Sequence, residues 1–181
     1  IKPGPIANDI MSHLDWMPTL VAADGNTKIK EELKKDKKVG DKTFKVHLDG
    51  YNFLPYLTGK ETKSPREEFF YFSDDGDLTA LRYDNWKVIF AQQRSPGTML
   101  VWSDPYVITR IPWLFNLRTD PYEKASLTSN TYWDWWLDHV FLLFPATEYV
   151  GKFLGTFKEY LPRMKTEIFI FNQLMLHPKQ Y

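Results

Sequence analysis

Leu78-Thr79-Ala80-Leu81-Arg82-Tyr83 and Trp86-Lys87-Val88-Ile89-Phe90, with only Asp84-Asn85 between them, decide the fold class of this chain. Two runs rich in aromatic and β-branched residues, separated by two turn-forming residues, read as a tight antiparallel hairpin. The same texture lies on both sides. Upstream, the aromatic run Glu68–Ser73 reads as a strand, and Asp74-Asp75-Gly76-Asp77 turns the chain into Leu78. Downstream, an irregular stretch with several prolines, Arg94–Pro112, leads into a last strand, Trp113–Leu117. Consecutive strands with short turns predict an antiparallel meander of about four strands.

Helical patterns flank the meander. Trp16–Ala23 reads as a short helix with Asp15 as N-cap, Pro18 in its first turn and Gly25 as its stop. After the strands, Thr131 and Asp134 form a capping-box pattern, and Trp133, Trp136, Leu137, Val140 and Phe141 follow at helical spacing. Pro145 suits the first position of a second helix, in which Tyr149, Phe153 and Phe157 recur on one face until Pro162. That face is expected to pack on the sheet rather than form an open ligand site. Ile168–Leu176 is the one structured-looking piece of the tail. The fold class is therefore α+β.

Composition fits one domain with an appendage. Of 181 residues, 43% are hydrophobic and 17% aromatic, enough to build a core. Lys+Arg and Asp+Glu both number 23, so no net field steers the chain to nucleic acid or an anionic membrane. With no cysteine, disulfides, thiolate nucleophiles and cysteine-ligated metals are excluded. The densest apolar run, Val140–Phe144, is too short to span a bilayer. The opening, Ile1-Lys2-Pro3-Gly4-Pro5, has neither initiator Met nor signal peptide and reads as the middle of a longer protein. Eight lysines between Lys28 and Lys45 read as a solvated linker, with Glu31→Lys35 as a supporting pair.

Chemistry is sparse. His13, His47, His139 and His177 have no ligand spacing, although His13 with Asp15, or His47 with Asp49, would place two ligands on one strand face. The plainer expectation is that Asp15 and Asp49 cap helices. Asp74–Asp77 begins like a calcium loop, but its twelfth position is Asn85 rather than glutamate. There is no G-x-S-x-G, G-x-x-x-x-G-K, G-x-G-x-x-G or H-E-x-x-H. On residue chemistry alone, the chain is an α+β domain without an active site. A free-standing interaction module working through its aromatic helices is the other reading.

Four segments together resemble sulfatases, with an extended helical C-terminus like that of bacterial arylsulfatases. Ser12-His13-Leu14-Asp15-Trp16-Met17-Pro18-Thr19-Leu20 resembles their H-x-D-x-x-P-T-L segment. His47-Leu48-Asp49-Gly50 through Pro55-Tyr56-Leu57-Thr58-Gly59 is similar to L-D-G-x-x-x-x-P-x-L-x-G. Leu81–Ile89 resembles the x-R-x-x-x-W-K-x-I hairpin, and Leu114–Glu123 the L-F-N-L-x-x-D-P-x-E strand and turn. The resemblance implies the C-terminal portion of an alkaline-phosphatase-like hydrolase. Its last catalytic-domain strand–helix and a charged linker would fill 1–45, its C-terminal α+β subdomain 46–162, and a tail 163–181.

The resemblance also implies that the parent hydrolyses sulfate esters with formylglycine and Ca²⁺. The Cys or Ser of its C/S-x-P-x-R motif and its metal ligands would lie upstream. Ser103-Asp104-Pro105 begins such a motif, but Val107 replaces the arginine. No catalytic or metal residue carries over, and this chain alone is expected to be inactive. Its implied partner is the rest of the catalytic domain, with Arg94 and Trp102 as weak candidates for the substrate rim. A bacterial sulfatase would be periplasmic or secreted; the sequence itself does not give the compartment.

Overall fold

The computed structural model describes residues 1, 3–4, 6–95 and 97–160. The expected structure at Pro162 and Ile168–Leu176 lies outside those residues. At the centre is an antiparallel sheet of β3 (Glu68–Phe72), β4 (Leu78–Tyr83), β5 (Trp86–Gln92) and β6 (Val107–Asn116), in that order. The hairpin forms as its sequence dictates. Tyr83 pairs with Trp86 and Leu81 with Val88, and Asp84 accepts a φ of 48° to close the two-residue turn. Asp74–Asp77 is a turn in which Gly76 takes φ 83° and Ser73 N–H donates to Asp77 O.

β6 is longer than the expected Trp113–Leu117. It begins at Val107, and its pairing with β5 jumps from Ile89↔Trp113 to Ala91↔Ile108. Pro112 falls within that bulge on an edge strand, where a missing N–H is tolerated. The proline-rich texture hid the first half of the strand.

Leu81, Val88 and Leu114 are fully buried on the face covered by the C-terminal helices. α6 (Tyr132–Asp138) lies along β6. A 3₁₀ turn at Val140–Leu142 then leads into α7 (Leu143–Thr156). Thr131 precedes α6, but its side chain makes no capping bond. Pro145 sits at the third position of α7 rather than the first, still within the turn whose N–H groups lack helical partners. α7 packs on the sheet as expected. Phe153 stacks on Phe70 at 4.2 Å, and Tyr149 lies 5.7 Å from Tyr83, whose hydroxyl donates to Leu142 O at 2.8 Å.

α6 also closes the sheet edge. Tyr132 OH donates to Leu114 O at 3.0 Å and accepts from Leu114 N–H at 3.1 Å, while Trp136 Nε1 donates to Pro112 O. Backbone groups that an edge strand would leave open are thus satisfied. Trp86 stacks on Trp135 on this side, and Lys87 points to the opposite face, pairing with Glu123 at 2.6 Å.

The first part of the chain is more structured than a helix and linker. α1 (Trp16–Ala23) has its expected bounds, with Gly25 at φ 105° beyond it. The lysine-rich stretch folds into α2 (Ile29–Lys34) and a hairpin, β1 (Lys37–Val39) with β2 (Lys42–Phe44). Ile29 and Leu33 are buried beneath it. Periodicity was masked because only two of six positions in α2 face inward. Glu31 pairs with Lys34 instead of Lys35, and Glu32 with Lys37. α3 (Leu54–Leu57) follows, its Leu54 N–H capped by Asn52 Oδ1 rather than by Asp49. Ser12, ahead of α1, is extended but pairs with no strand among the described residues.

Candidate functional site

Asp15 does not cap α1; its side chain makes no capping bond to that helix. Instead it is fully buried and holds a guanidinium. Arg66 donates from Nε to Asp15 Oδ2 at 2.8 Å and from Nη2 to Oδ1 at 2.6 Å, a two-pronged pair. The carboxylate also accepts the Ser12 and Tyr51 amides, each at 2.7 Å. Burial alone would raise its pKa; the Arg66 hydrogen bonds and the two amides outweigh that and hold it below the ordinary value. Arg66 spends its other donors on Glu68 O and Asp49 O, both at 3.0 Å. All four acceptor positions of the carboxylate and four of the five guanidinium N–H donors are used, the satisfaction a buried ion pair needs.

The surrounding motif residues serve the same junction. Thr19 Oγ1 donates to Asp15 O at 2.6 Å and accepts from Phe53 N–H at 2.9 Å, which fixes the fully buried Phe53 on α1. Gly50 is required by proximity: a Cβ there would run into the Leu14 carbonyl. Asp15, Pro18, Thr19 and Gly50 thus weld three segments, Ser12–Leu20, Asp49–Phe53 and Arg66–Glu68.

Beside the weld opens a cleft of about 470 Å³. One wall is aromatic, from Phe70, Phe72 and Phe153; the other carries Lys30, His47, Asp49 and Tyr51. Tyr51 donates its hydroxyl to Glu68 Oε1 at 2.8 Å, and burial with that carboxylate pushes its pKa well up. The Lys30 ammonium lies 4.7 Å from the Tyr51 ring centre. Burial first, and then Lys34, hold its pKa below the ordinary value.

Among the described residues, no three His, Asp or Glu side chains gather where a metal ion could sit. His13 and Asp15 share a 3₁₀ turn rather than a strand face, and Asp15 is committed to Arg66. His47 Nδ1 meets Asp49 Oδ1 at 3.0 Å, and His139 lies against Trp135; His177 lies outside the described residues. Arg94 and Trp102 sit on the β5–β6 connection, Trp102 in α4 (Leu100–Ser103) and 77% exposed, and neither lines the cleft. Sequence reasoning missed Arg66, Lys30 and Glu68. Arg66 follows a proline in a polar stretch, and no local pattern ties it to Asp15.

Comparison with known proteins gives three findings. No curated protein matches the chain. Among solved structures it is similar to the PsFucS1 sulfatase from Pseudoalteromonas sp., at 24% identity and a TM-score of 0.48 over 66% of this chain. The chain spans about a quarter, 23%, of that protein's length. Residues 64–143 match the family described as the C-terminal region of aryl-sulfatase.

Proposed function

We propose that this chain is the C-terminal part of an arylsulfatase-like sulfuric ester hydrolase and that it buttresses the catalytic domain without catalysing anything itself. The observation that carries the reading is the Asp15–Arg66 weld, 0% and 3% exposed at its two side chains. It fastens α1 to the family-matching sheet segment, while the outer face of α1 keeps Trp16, Met17 and Leu20 exposed. An apolar helix face held rigidly at the surface suits docking of the remaining catalytic domain. On this reading 1–45 close that domain, 46–162 form the C-terminal subdomain, and 163–181 trail it. Arg94 and Trp102 would reach toward the substrate rim from the β5–β6 connection.

In the parent, formylglycine and Ca²⁺ would supply the sulfate chemistry. Their ligands would come from other segments of the parent, and this chain's share would be to position its neighbour. The reading has two tests. Purified chain given an aryl sulfate should release no sulfate; turnover abolished by chelation would overturn the assignment of catalysis to other segments. The coding sequence ahead of Ile1 should contain a C/S-x-P-x-R motif, and an open reading frame starting there without one would favour the interaction module.

A further inference from the structure

Each charged group lining the cleft beside α7 already has a partner. Arg66 is held by Asp15, Lys152 pairs with Glu148 at 2.6 Å, Asp49 faces His47, and Glu68 accepts from Tyr51. Lys30 sits in the fields of Asp49 and Asp15. The opposite wall is bare ring surface. Phe70 and Phe153 stack at 4.2 Å, and Phe72 lies 5.7 Å from Phe153 with 41% of its surface exposed. Exposed apolar surface beside compensated charges favours an apolar occupant that carries no charge of its own. At about 470 Å³ the cleft has room for several side chains.

The chain itself leads to this place. Tyr149, Phe153 and Thr156 line the cleft from successive turns of α7. Beyond the helix, Tyr160 is the last described residue, and its ring lies 5.5 Å from that of His47 on the facing wall. A polar connection follows, with Pro162, Arg163, Lys165 and Glu167. Residues 168–176 then read Ile-Phe-Ile-Phe-Asn-Gln-Leu-Met-Leu, seven large apolar side chains and no charge. The residues between Tyr160 and Ile168 span up to about 25 Å when extended, enough to turn back into a cleft that Tyr160 already touches. A segment on so short a tether meets the cleft at an effective concentration in the millimolar range, above that of a second copy or a free partner.

We propose that residues 168–176 fold back and close this cleft, setting their apolar side chains against Phe72 and Phe153. The cleft is then an intramolecular docking groove, and the tail is a strap that ties the end of α7 to β3, an edge strand of the sheet. The contact lies within the chain, so it goes beyond the buttressing role and does not depend on it.

Because the chain has no cysteine, one introduced thiol carries a nitroxide label at a single position. Gln173→Cys in the full chain, labelled in this way, should erase the NMR amide signals of Phe70, Phe72 and Phe153. Those of Val107 and Ile108, on the opposite edge strand, should survive. Adding Phe169→Ser and Phe171→Ser to the labelled chain should restore the lost signals, since only the tail's apolar grip is removed. A mixture of labelled chain with isotope-enriched unlabelled chain tells the occupants apart. Signals lost in that mixture would give the cleft to the tail of a second copy and overturn the proposal. Loss at other surfaces, loss at none, or loss unchanged by the two serines would overturn it as well. None of these outcomes touches the sulfatase reading, which stands or falls on sulfate release and the upstream motif.

Discussion

Two neighbouring atoms of one carboxylate decide how Asp15 behaves in acid. Its pKa is held below the ordinary 3.8, so the folded chain stays charged where the unfolded chain takes up a proton. The unfolded state then binds more protons, and stability rises with pH across that window. Asp15 therefore contributes stability that is complete above about pH 4 and lost as the pH falls through its folded pKa. Asp15→Asn should flatten this acid limb in denaturant melts taken from neutral to acid pH. At neutral pH it leaves the Arg66 guanidinium buried without a counter-charge and should cost about 3–5 kcal/mol. An unchanged melt would show that the pair is dispensable. Gly50→Ala belongs to the same scale. The added Cβ meets the backbone carbonyl of Leu14, which has no rotamer in which to retreat. A loss of about 2–3 kcal/mol is expected in the same melts.

At the scale of elements, the helix–sheet contacts set the magnitudes. Phe153→Ala removes a ring stacked on Phe70 but only half-buried beside the cleft, so about 2 kcal/mol is expected. A change near zero would mean that α7 is held by its other core-facing residues, Leu143, Ala146, Tyr149 and Val150. Tyr132→Phe keeps the ring and removes the hydroxyl that serves both Leu114 backbone groups. It should cost about 1–2 kcal/mol and raise the rate of self-association through the opened edge, measurable by light scattering.

These elements differed in how plainly their sequence announced them. The β4–β5 hairpin was readable to the residue because a two-residue turn and two alternating runs lie within thirteen consecutive positions. α1 was equally plain in its bounds, yet the aspartate just ahead of it was misread. An aspartate ahead of a helix is ordinarily a cap, and nothing local reports that a guanidinium 51 positions later claims it. The first half of β6 was hidden by Pro112, and α2 with its hairpin by lysines whose buried partners are only Ile29 and Leu33. The cleft was illegible for the same reason as the weld: its walls come from α2, the segment after β2, β3 and α7.

For the whole molecule, the weld joins the segment around α1 to the start of the stretch that matches the C-terminal region of aryl-sulfatase. A boundary drawn between them by sequence likeness is not a seam in the physical sense, because buried charge crosses it. A protease that nicks the exposed Gly59–Lys63 turn would therefore not release two separate pieces. The amino-terminal fragment would keep Asp15, Thr19 and Phe53, the carboxy-terminal one Arg66, and the two should travel together through a sizing column at neutral pH. Acidification that protonates Asp15 should let them part. The covalent chain between these halves is, in that respect, redundant with the carboxylate and guanidinium that bridge them.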